Sequence, residues 1–211
     1  MAETQIPLRP IEPPPGTPNP DAFRVGQTAQ YMFGSYMAHQ AAMLVARDPK
    51  APTLLPPVES GHIVPVGRVP DKAGEGHSYH ATYYLEWAQK APADEFDRAA
   101  LGGSLITLGD ALAAHRYFDH APELELVRHL RNGIAHGNHF NILKPGREQL
   151  AKWPAHNRLA TVKTSEFEVT PPLNGHEVLW GFMERGDVLN LIQTVSVYLI
   201  RMGNGVTPLR P

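Results

Sequence analysis

Proline decides where this chain can be helical. A proline ring removes a backbone donor and clashes with the preceding helical turn, and many of the 21 prolines among the 211 residues crowd into residues 1–20 and 48–78. The first stretch carries Pro7, Pro10, Pro13, Pro14, Pro15, Pro18 and Pro20 and is predicted to be an extended or flexible arm outside the core. Within it, Pro7-Leu8-Arg9-Pro10 has the form of a ligand for SH3-like domains, although a plain tail explains it more simply. The second stretch adds Gly61, Gly67, Gly74 and Gly76 to its six prolines and is expected to be a long loop, either a flap or an unstructured segment.

Helical periodicity appears where proline is sparse. From Asp21 to about Arg47, Tyr31, Met32, Phe33, Tyr36, Met37, Met43 and Leu44 recur at spacings of three and four, which predicts one long helix with Asp21 as its N-cap. Met and aromatic stripes of this kind are ordinarily core. A short helix is expected over His80 to Gln89, and a longer one from Asp94 toward His115 with Phe96, Leu101, Leu105, Leu108 and Leu112 on one side, weakened by Gly102 and Gly103. Pro122, Glu123 and Glu125 suit the start of a helix that runs to Ala135 or His136, and Gly137 suits a left-handed cap. The last helix is expected from Asp187 to Met202, ended by Gly203.

Residues 21–203 therefore read as one mainly α domain, interrupted by the 48–78 loop and by a 141–185 insertion, with 204–211 as a flexible tail. In the insertion, Leu159 to Lys163 and Glu166 to Thr170 can pair as a small β-hairpin.

The segment Arg131-Asn132-Gly133-Ile134-Ala135-His136 concentrates polar chemistry near the end of the predicted fourth helix. At about 100° per residue, Arg131 and His136 stand roughly 140° apart. Arg128, Asn132 and His136, at intervals of four, share a stripe, and Val127, Leu130 and Ile134 form the opposite, core-facing one. An imidazole, with an ordinary pKa of about 6.5, can move protons near neutral pH. A guanidinium offers a planar fork of donors to phosphoryl oxygens, and an amide can orient either group.

The run His129-Leu130-Arg131-Asn132-Gly133-Ile134-Ala135-His136-Gly137 resembles the R-x4-6-H signature of HEPN domains, with Asn132 as the polar residue after the Arg. The resemblance covers some nine residues of motif, extended by the helices on either side. It implies a HEPN-like helical bundle, commonly a homodimer, that in many members cleaves RNA without metal, leaving a 2′,3′-cyclic phosphate and a 5′-hydroxyl. By this resemblance His136 is the general acid/base, Arg131 stabilises charge on the phosphate and Asn132 orients, while Arg128, His129 and His139 contact substrate, with Lys144 and Arg147 extending the basic patch. A twofold mate supplies the second His136, and the setting implied is a toxin with an antitoxin partner or a phage-defence effector. Other members are noncatalytic modules that bind RNA, a nucleotide or a protein partner. Some toxins of the class carry a modifiable Tyr two residues after the motif His, where this chain has Asn138, so control by that route is not expected.

Rival chemistries find less footing. With 19 Lys and Arg against 21 Asp and Glu, the formal net charge is -2, so any RNA contact must be local or assembled between subunits. The absence of cysteine excludes disulfides and thiolate metal ligands and fits a reducing, cytoplasmic compartment. His136-x-x-His139 and His77-x-x-His80 lack the companions of a metal site, so neither metal nor other cofactor is expected. Asp94, Glu95 and Asp97, like Glu123 and Glu125, sit where helix N-termini collect acids for dipole reasons. No signal peptide, membrane span, P-loop, G-x-G-x-x-G or G-x-S-x-G pattern occurs.

Overall fold

The computed structural model describes residues 12–51, 67–69, 72, 77–79, 81–90, 92–152 and 159–206. The protein is mainly helical, with six α-helices among the described residues. These are α1 (Pro20–Ala46), α2 (Ala81–Lys90), α3 (Ala93–Ala114), α4 (Pro122–Ala135), α5 (Lys144–Lys152) and α6 (Arg185–Gly203). Strands β1 (Gly67–Val69) and β2 (His77–Tyr79) form one antiparallel pair, and β3 (Ala160–Val162) and β4 (Ser165–Phe167) another. No helix among the described residues is long and apolar enough to cross a membrane.

Two compact units emerge, residues 1–34 with 97–211 and residues 35–96, so α1 and α3 each contribute to both. In the larger unit, Leu101, Leu105, Leu108 and Leu112 of α3, Leu124, Val127 and Leu130 of α4, and Val188, Leu191, Val195 and Leu199 of α6 are buried together with Ala22, Val25 and Ala29 of α1. The hairpin β3–β4 turns through Lys163, whose φ is +58°, and packs β3 on α4 and α6, with Ala160 and Val162 buried. Thus the 141–185 segment, expected as an insertion, supplies core through Ala160, Val162, Val169, Val178, Leu179 and Met183. It also contains α5, a helix that Pro145 and Gly146 had hidden from the sequence.

Helix ends follow local chemistry. Asn19, not Asp21, caps α1: its Oδ1 accepts the Ala22 N–H at 3.1 Å, Pro20 takes the first helical position, and Asp21 pairs instead with Arg24. The arm is consequently anchored at its inner end, where the Asn19 N–H donates to the Gly203 carbonyl at 3.0 Å. Glu184 and Asp187 form a reciprocal capping box at the start of α6. Gly203 belongs to α6 rather than stopping it, and its missing side chain admits Phe23, whose Cβ would stand 2.7 Å from an added methyl.

Within the smaller unit, the His39 and Phe96 rings stack with centroids 3.9 Å apart, and Gln89 donates to the Ala46 carbonyl at 3.2 Å. Helix α2 matches the short helix expected there, and β1 pairs with β2 inside the stretch expected to be loop, Arg68 opposite Ser78. Residues 52–66 of that stretch lie outside the described residues, as does the Pro7-Leu8-Arg9-Pro10 motif.

Gly26 marks another close crossing of α1 on α6: a Cβ there would meet the Ile200 backbone nitrogen at 2.8 Å and its Cγ1 at 2.9 Å. Because backbone cannot yield as a flexible side chain does, Gly26→Ala is expected to lower stability by about 1–3 kcal/mol, read as a fall in the denaturation midpoint at unchanged m-value.

Candidate functional site

The apolar stripe of α4 fixes the orientation of everything polar on it. Leu124, Val127 and Leu130 are fully buried, which turns Asn132, Ala135 and His136 out to solvent. His136 is the C-cap, with φ −98° and ψ 32°, and its N–H reaches the Asn132 and Gly133 carbonyls. Beyond it, Gly137 (φ +79°) and Asn138 (φ +66°) are both left-handed, so the chain reverses sharply at the helix end.

Asn138 fastens that reversal. Its Oδ1 accepts the Leu179 N–H at 2.8 Å and its Nδ2 donates to the Leu179 carbonyl at 3.1 Å. The Val178 N–H donates to the Asn138 carbonyl, the Phe140 N–H to the His176 carbonyl, and the Gly175 N–H to the Phe140 carbonyl. Segment 138–140 is thereby zipped to segment 175–179. Gly133 is needed at the seam, since a Cβ there would lie 2.5 Å from Val178 Cγ2.

Arg131 leaves α4 across α3. Gly109 makes room for it: an added Cβ would fall 2.8 Å from Arg131 Cγ. The guanidinium then meets Asp110, with Nε at 2.9 Å and Nη2 at 2.7 Å from Oδ1, while Nη1 donates to Asn132 Oδ1 at 3.2 Å. Of its five N–H donors, two remain without a partner among the described residues. The pair is open, at 37% and 55% side-chain exposure.

Arg128 follows a different course from the shared stripe expected for it. Its Nη2 lies 2.9 Å from Glu125 Oε1 and 3.4 Å from Asp119 Oδ1, and its guanidinium sits 4.8 Å above the centre of the Phe118 ring. Those contacts draw it toward the short 3-10 turn Phe118–His120, away from Asn132 and His136. His129 is half-buried, whereas His139, Lys144 and Arg147 are exposed. His139 Nδ1 stands 2.8 Å from the Gly137 carbonyl.

The structure thus brings Arg131 to Asn132, leaves His136 exposed on the cap of the same helix, and adds Asp110 and Gly109, which the sequence did not point to, and a structural role for Asn138. Asp110 lies 21 residues from Arg131, beyond any helical spacing. Glu125 and Arg128, by contrast, are three apart and were available to a helical reading. Among the described residues no group of three or more His, Asp or Glu is arranged to hold a metal ion. Comparison with protein-family models, curated proteins and solved structures finds no match to this chain.

Two stability outcomes follow. Removing the open Asp110 carboxylate should cost no more than about 1 kcal/mol, as exposed ion pairs contribute little. Asn138→Ala discards both Leu179 bonds and puts a Cβ-bearing residue without a compensating amide in the left-handed region, which should cost about 2–4 kcal/mol. Urea denaturation of the two variants beside the parent protein checks both.

Proposed function

We propose that the exposed end of α4 is an RNA-cleaving site and that the protein is a HEPN-like, metal-independent endoribonuclease. The observation that supports this reading is the common placement of Arg131, Asn132 and His136 on the last turn and cap of one helix, with the guanidinium already oriented by Asp110 and the imidazole open to solvent. In this reading RNA phosphate is met by the two remaining N–H donors of Arg131, and Asp110 holds the fork in place rather than competing for it, because an exposed pair is worth only about 0–1 kcal/mol. The 2′-oxygen forms its bond to phosphorus as the 5′-oxygen departs, and His136 transfers a proton in that exchange.

A displacement of this kind needs proton transfer on both sides of phosphorus. The R-x4-H resemblance would provide the second group from the His136 of a twofold mate, and we propose a homodimer acting on RNA in a toxin or phage-defence setting, with an antitoxin protein as a further partner.

A second reading, a noncatalytic module for RNA, nucleotide or protein, draws on a specific feature of the charges. Both Arg131 and Arg128 carry acidic partners from their own chain, Asp110 for one and Glu125 with Asp119 for the other.

Incubation of the purified protein with short RNA in the presence of EDTA separates the two. The catalytic reading expects 2′,3′-cyclic phosphate and 5′-hydroxyl ends, and a loss of about 10²–10⁴-fold for His136→Ala at unchanged thermal stability. RNA that is bound but left whole by the unaltered protein would favour the module.

A further inference from the structure

We propose that His139 is the base of this site, supplied by the same subunit as His136. The inference rests on the RNA-cleaving reading above and replaces the second proton-transfer group proposed there, the His136 of a twofold mate, with one from the same subunit.

The hydrogen bond at His139 assigns its tautomer. A carbonyl oxygen can only accept, so the 2.8 Å contact between Nδ1 and the Gly137 carbonyl requires the proton on Nδ1. In the neutral ring that leaves Nε2 with its lone pair, the form a general base must have, and the side chain is exposed. The bond also fixes the ring against rotation, because Gly137 is held in the left-handed turn and Asn138 is bonded on both sides to Leu179.

His139 is close to His136 for a backbone reason. The N–H groups of both residues converge on one acceptor, the Gly133 carbonyl, at 3.0 Å for His139 and 3.2 Å for His136. Their backbone nitrogens are therefore no further apart than those two bonds laid end to end. The left-handed Gly137 and Asn138 end the helix and fold residue 139 back over the cap, where its N–H still reaches the Gly133 carbonyl. No hydrogen bond of the His136 ring occurs among the described residues, so that imidazole is available for the leaving-group side.

The chemical step balances within one chain. Nε2 of His139 takes the proton of the RNA 2′-hydroxyl as the 2′-oxygen bonds to phosphorus. The bond from phosphorus to the 5′-oxygen breaks, and protonated His136 gives that oxygen its proton. One strand becomes a 2′,3′-cyclic phosphate and a 5′-hydroxyl, and exchange with water restores both rings. No oxidant, metal or second subunit enters the balance.

The test uses the full chain with two substrates, an RNA dinucleotide and a nucleoside 3′-(para-nitrophenyl) phosphate, whose leaving group departs without a proton. His139→Asn is the informative variant, since its amide nitrogen can replace Nδ1 as donor to Gly137 while no base remains. The proposal expects His139→Asn to slow both substrates by about 10²–10⁴-fold, with the melting temperature kept. His136→Ala should slow the dinucleotide similarly but spare the aryl ester. Wild-type rates for His139→Asn on both substrates, alongside a dead His136→Ala on RNA, would remove His139 from the reaction and leave the RNA-cleaving site standing. Slowing of the dinucleotide alone by His139→Asn would make His139 the acid and overturn the assignment. Failure of the unaltered protein on both substrates would instead sink the RNA-cleaving reading itself.

Discussion

The burial of one face of α4 governs the molecule. Leu124, Val127 and Leu130 sit at the centre of the larger unit, against α6 and the β3–β4 hairpin, and the loss of apolar area from water that this represents is the main source of the helix's stability. Once that face is committed, helical geometry has no freedom left for Asn132 or for the cap residue His136. Their exposure follows from packing on the other side of the helix. A polar constellation at a helix end can thus be held firmly by contacts that none of its own members make.

Charge in this protein is matched locally. Arg131 reaches Asp110, Arg128 reaches Glu125 and Asp119, and Arg185 reaches the buried Asp97 at 2.6 Å while lying over Trp180. The consequences differ with burial. Asp97 and Glu125, at 2% and 3% side-chain exposure, each lie against a guanidinium, and a buried carboxylate is costly unless it is paired in this way. Asp110 is half in water and can serve as a soft restraint, orienting Arg131 while leaving part of its fork open to an anion. Such matching leaves Arg131 and Arg128 each beside a carboxylate, in a chain whose formal net charge is -2.

How much of this was legible in the sequence depended on the range of the interaction responsible. Local signals were readable: Pro122 with its following acids marked the start of α4, the leucines of α3 named their buried face, and Gly137 announced a left-handed turn. Even there, Asn19 displaced Asp21 as the cap of α1, because an amide oxygen ahead of Pro20 was the better-placed acceptor. Long-range matches were not readable. Nothing in the spacing of Gly109-Asp110 and Arg131 foretells that one helix clears a channel for the other's side chain, or that Val178 sits on Gly133. The 141–185 segment looked peripheral because its prolines, asparagines and charges describe its surface, while its contribution to the core comes from single residues spread over separate turns.

The two-sided bond between Asn138 and Leu179 has an implication for how this helix end could diversify. Residue 138 is the place where some toxins with the R-x4-6-H motif carry a modifiable Tyr, and this chain carries Asn there. Here it serves as a hinge pin, its amide oxygen and nitrogen both consumed by the opposite strand of backbone and its own φ at +66°. An aromatic residue could not inherit the position without unpinning the loop, so a lineage built on this joint would have to place any covalent handle elsewhere. What reads as a missing modifiable residue is a structural commitment of this loop, made through both polar atoms of one amide.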